Sequence, residues 1–137
     1  MNTECVTPLG LGWCFVNKLL VDLEKLDVDV NKTLSRFMDN EELYLTFLYR
    51  FPNENKFNEL KEKIENEEYD DCILVIAHTL KGQTANLGMN GIYRLVCEIM
   101  KSIKKSQFNE IKEKFLALEE NYNQICDVIM KYKRLVV

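Results

Sequence analysis

Eight apolar residues near the C-terminus, Phe108, Ile111, Phe115, Leu118, Tyr122, Ile125, Ile129 and Tyr132, recur in alternating steps of three and four without a miss. That period puts all eight on one stripe of a long α-helix. Such a seam must be covered by neighbouring helices, and short connections make those neighbours antiparallel. The rest of the chain is suited to supply them. Only two prolines and five glycines punctuate 137 residues, and alternating β-branched runs are scarce, so the composition is helical throughout. The expected fold is all-α: an antiparallel up-and-down four-helix bundle with one or two extra N-terminal helices. With no internal repeat, low-complexity tract or Ser/Gly linker, residues 1–137 read as a single domain, with 1–30 an N-terminal extension and 31–137 the bundle.

Further helices follow from the same spacing. Trp13 to Leu26 carries Phe15, Val16, Leu19, Leu20, Leu23 and Leu26 at amphipathic intervals. This helix holds more apolar surface than one exposed face should carry, so it either caps the bundle or pairs two chains. A break at Asp27–Asn31 precedes a short helix near Lys32–Met38. Asp39, three residues before Glu42, predicts a capping-box start for a helix ending near Phe51. Pro52 predicts a kink or short break, after which Phe57, Leu60 and Ile64 resume the pattern. Asp70 and Asp71 are candidate caps of a helix running to about Leu87 and ended by Gly88. Ile92, Leu95, Val96, Ile99 and Ile103 mark the next one.

Charge narrows the function classes. Eighteen Lys and Arg against 22 Asp and Glu leave a net charge of −4, the wrong sign for a chain whose main partner is nucleic acid. The apolar stretch Pro8–Val16 holds two glycines and soon meets Lys18 and Asp22. It is too short to span a membrane and a poor signal peptide. Five scattered cysteines, Cys5, Cys14, Cys72, Cys97 and Cys126, show no metal-ligand spacing. They read as reduced, mostly buried thiols of a cytoplasmic protein, with Cys72 and Cys97 as core fillers.

The helix from Asp70 contains the sole histidine, His78. At 100° per residue, Tyr69, Cys72, Ile73, Ile76, Leu80, Thr84 and Leu87 form a core stripe. His78 falls on the other side with Asp71, Leu74, Val75, Lys81, Gly82 and Ala85, and is expected to face solvent. A merely solvated face would carry Glu, Lys and Gln; Leu74, Val75 and Ala85 suit a docking surface instead. Gly82 in mid-helix costs about 0.8–1 kcal/mol relative to alanine, so its bareness should offset that by leaving access to the imidazole. A partly unprotonated imidazole is nucleophilic and accepts a phosphoryl group. Lys81, one turn on, would offset the added negative charge.

Ala77-His78-Thr79-Leu80-Lys81-Gly82, followed by Asn86-Leu87-Gly88, closely resembles the signature of histidine-containing phosphotransfer (HPt) domains of two-component phosphorelays. Arg36–Leu43 and Leu48–Phe51 resemble that family's preceding helices, and the similarity spans roughly Val28 to Ile103. The resemblance implies an HPt-like domain in which His78 exchanges a phosphoryl group with the aspartate of a response-regulator receiver domain. Lys81 would be the phosphate-neighbouring lysine and Gly82 the small residue beside the histidine. Partners would be receiver domains, a hybrid histidine kinase, or both. The receiver would supply Mg²⁺, and no cofactor or metal is expected on this chain. The Met1–Leu26 extension, Pro52 and Met89 depart from the family's pattern.

Three function classes compete. The leading one is a monomeric phosphorelay intermediate. A helical interaction module that binds a receiver or another signalling protein without carrying phosphate is disfavoured by the intact His78 and Lys81. An autonomous enzyme such as a histidine kinase would need a glycine-rich ATP lid and an Mg²⁺-binding Asn motif, which the chain lacks. One His without a Glu-x-x-His pair also speaks against a metal- or haem-binding bundle.

Overall fold

A computed structural model describes the backbone of residues 8–136 and the side chains of residues 16–135. Among these residues the regular elements are helices: α1 (Pro8–Glu24), α2 (Val30–Arg36), α3 (Glu41–Arg50), α4 (Phe57–Glu65), α5 (Asp71–Asn86), α6 (Asn90–Lys104) and α7 (Ile111–Val136). α5 packs along α6, α6 along α7, and α4 against both α5 and α7, while α1 lies on α7. No described helix is long and apolar enough to cross a membrane.

The α7 seam is the centre of the core. Ile111, Leu118, Ile125 and Ile129 are fully buried, and Phe115, Tyr122 and Tyr132 nearly so. Phe108 is the exception: it sits in the 3₁₀ turn Phe108–Glu110, half-exposed, and stacks on Tyr69 with ring centroids 4.9 Å apart. α1 buries Leu19, Leu20 and Leu23 within this chain, and its Asp22 carboxylate accepts a 2.8 Å hydrogen bond from the Tyr132 hydroxyl. Its described apolar face is therefore covered without a second chain. The side chains of Trp13, Phe15, Cys5 and Cys14 lie outside the described residues.

One of the sequence expectations is corrected by local backbone geometry. Asn40, not Asp39, caps α3, its side-chain oxygen accepting from the Leu43 amide at 3.1 Å. Asp39 is instead spent closing α2: it takes a left-handed φ of 59°, a conformation Asp tolerates, and its amide reaches Leu34 O at 2.8 Å. Pro52 goes with a break. The 3₁₀ turn Phe51–Asn53 follows α3, and Asn55 then accepts the Phe57 amide at 2.7 Å before α4 begins. Phe57 inserts there against Tyr122, with centroids 3.8 Å apart and planes within 6°.

The expected burial of the cysteines also fails among the described residues. Cys72 is exposed, and Cys97 and Cys126 are half-buried. Burial pushes the Cys126 thiol up to about 11, against the lowering effect of its hydrogen bond with the Tyr122 hydroxyl.

Candidate functional site

α5 is fixed at both ends by signals that its sequence carries. The Asp70 carboxylate accepts the Ile73 amide at 3.1 Å, and this bond above all holds its carboxyl below the usual range. A depressed folded value means that the cap contributes above the ordinary carboxylate range and is lost as acid protonates it. At the other end Gly88 turns the chain with φ +72°. The turn is tied to the segment before α2: Asp29 N donates to Gly88 O at 2.8 Å and Asn90 N to Asp27 O at 3.1 Å.

Between these ends Ile73, Ala77, Leu80 and Thr84 are fully buried and Leu87 nearly so. Thr84 satisfies its hydroxyl on the Leu80 and Lys81 carbonyls at 3.0 and 3.1 Å. Compared with the expected stripe, the buried arc is rotated by roughly 40° toward Ala77 and away from Cys72. The cause is packing: α5 is gripped by α6 on one flank and α4 on the other. The same rotation half-buries Leu74, which packs on the core rather than standing in solvent, and Ala85, whose carbonyl accepts from Arg36 Nη2 at 2.8 Å.

His78 points away from the core and is exposed, and it makes no hydrogen bond among the described residues. Val75, one turn before it, is 66% exposed. Lys81 is half-buried and Gly82 exposed. A Cβ built on Gly82 would meet nothing within 4 Å. Close packing in this chain therefore does not require glycine there. The imidazole rides on a helix held by a fully buried face, open above the following turn, with Lys81 three residues on in the sequence. Such an arrangement suits a nucleophile that receives a group delivered from outside.

Two clefts flank this stripe, and neither was assembled from the sequence. Toward α3 lies one of about 520 Å³, lined among others by Phe37, Phe47, Phe51, Arg36, Arg50 and Asn86. Phe47 and the nearby Leu43 are each 43% exposed, and Met38 is almost fully so. Toward α6 lies a shallower one of about 310 Å³, lined by Lys81, Cys97, Met100, Lys101, Lys104 and Lys105. The lysines of α6 are not adjacent to His78 in sequence; the antiparallel α5–α6 hairpin brings them to its flank. No family model matches the chain, and no curated protein or solved structure matches it either.

Proposed function

We propose that this chain is a phosphorelay intermediate that accepts and donates a phosphoryl group on His78, in exchange with the aspartate of receiver domains. The observation that carries the reading is the unengaged, outward His78 imidazole beside a glycine whose Cβ position is open. In the forward step an imidazole nitrogen attacks phosphorus of the partner's aspartyl phosphate. An N–P bond forms, the P–O bond to aspartate breaks, and the carboxylate leaves with that electron pair. The proton displaced from imidazolium passes to water or to the partner, and the reverse step returns the phosphoryl group. Lys81 offsets the charge of the phosphorylated ring, and Mg²⁺ belongs to the partner. Val75, with the edges of Leu74 and Ala85, forms the docking surface around the nucleophile.

The bundle reading supports this. α3 and α4, separated at Pro52, both contact α7; read as one interrupted helix beside α5, α6 and α7, they complete a four-helix bundle with α1 and α2 as the extra N-terminal helices. A receiver-binding module without phosphate transfer is the alternative, and it leaves the bare turn at Gly82 unexplained.

Position 82 separates the two by experiment. Gly82→Ala should stabilise the chain by about 0.8–1 kcal/mol in denaturant melts, since alanine favours the helix and its methyl group meets open space. Gly82→Gln should also fold, yet slow phosphoryl transfer from phosphorylated receiver domains at least tenfold by obstructing the imidazole. Native transfer by Gly82→Gln refutes the access argument.

A further inference from the structure

The lysines of the α5–α6 cleft differ from most others in the molecule. Lys25, Lys56, Lys61, Lys63, Lys112 and Lys114 each lie within 4.0 Å of a carboxylate. Lys81, Lys101, Lys104 and Lys105 have no such partner among the described residues, although the chain holds more acids than bases. Four uncompensated ammonium groups thus share the rim of one depression in an acidic protein. The C-terminal dipole of α6 favours Lys101, Lys104 and Lys105 where they stand. It does not account for Lys81, which projects from the middle of another helix.

The carbonyl end of α6 would ordinarily repel an anion, but the chain has already engaged it. Lys105 N donates to Lys101 O at 3.0 Å, Ser106 N to Ile103 O at 3.1 Å and Gln107 N to Ser102 O at 2.8 Å. Four ammonium charges also outweigh the roughly −0.5 charge of that helix end, so the field over the cleft is positive. Lysine offers a strongly hydrated point charge with rotatable donors, suited to phosphate. One phosphate group carries about −1.5 to −2, so neutralising four lysines takes at least two. The cleft volume, about 310 Å³, lies at the small end of ligand sites, ~300–1,000 Å³.

We infer that this cleft binds a small anion bearing two or more phosphate groups. The inference rests on the cleft and not on phosphoryl transfer at His78, so either stands if the other fails. A bound polyanion would draw the Lys81 ammonium away from His78 and occupy the flank of its docking face.

Inorganic tripolyphosphate is the probe, titrated into the full chain at constant ionic strength while backbone amide shifts are followed by NMR. Saturable shifts are expected at Lys81, Cys97 and residues 101–105, with sub-millimolar affinity. Lys104→Gln with Lys105→Gln should weaken binding at least tenfold and leave melting near native, since both side chains are exposed. Parallel titrations with ATP and inositol hexakisphosphate tell a nucleotide from an inositol phosphate, and saturation by either supports the site. Shifts that never saturate, that sulfate reproduces equally, or that persist in the double variant overturn it. Binding of a poly-glutamate peptide alone overturns it in favour of an acidic protein surface.

Discussion

Gly88→Ala should destabilise the chain by about 3 kcal/mol or more, the largest loss expected from adding a single methyl group here. Two costs combine. An L-residue held at φ +72° is strained by about 1–2 kcal/mol. The new Cβ would also fall onto Thr33 Oγ1 and within 2.8 Å of the Asp29 carbonyl, which is backbone and has little freedom to move. Thr33 is fully buried in α2, so the turn that ends α5 packs directly on the N-terminal part of the chain. In chemical denaturation the midpoint should fall with the m-value unchanged. Adding Thr33→Ala to Gly88→Ala should recover part of the loss, leaving the backbone strain. A Gly88→Ala chain as stable as the native one would mean that this turn does not lock α2 to α5.

Phe57→Ala should cost about 3–5 kcal/mol. The ring is 2% exposed and lies between Tyr122 and Phe115, with centroid separations of 3.8 and 5.4 Å. It is the first residue of α4, where the chain re-enters the core after Pro52, so its loss opens a cavity and unseats the start of that helix. Burial raises the Tyr122 hydroxyl well above its usual range, while a 2.9 Å hydrogen bond from Asn55 Nδ2 acts in the other direction. That buried phenol would then face a void. Phe57→Leu retains apolar volume without the stack and should cost less than half as much. Equal losses from the two substitutions would show that aromatic stacking, not cavity formation, dominates at this position.

The parts of this fold legible in sequence are those set by local chemistry. The α7 seam needs only its own period, and α5 announces its ends through Asp70 and Gly88. The outward direction of His78 follows from the wheel because the opposite face is apolar for the whole helix. Where neighbours decide, the reading slips. Asp39 and Asn40 are both good caps, and only the left-handed turn that closes α2 selects Asn40. Cys72 has the hydropathy of a core residue, but the rotation imposed by α4 and α6 exposes it and sinks Leu74 and Ala77. The two clefts were invisible for the same reason: Lys81 meets Lys104 and Lys105 only after the hairpin has closed, and Asn86 meets Phe47 only across α3.

The central claim, that His78 carries the phosphoryl group, is tested most directly by locating the bond. The chain is incubated with phosphorylated receiver domains, and the label is then characterised by acid lability, base stability and peptide mapping. The account predicts acid-labile, base-stable label on the peptide containing His78, and none on a His78→Gln chain that melts like the native protein. Label that survives His78→Gln, or a receiver that binds the native chain while leaving it unlabelled, would contradict it.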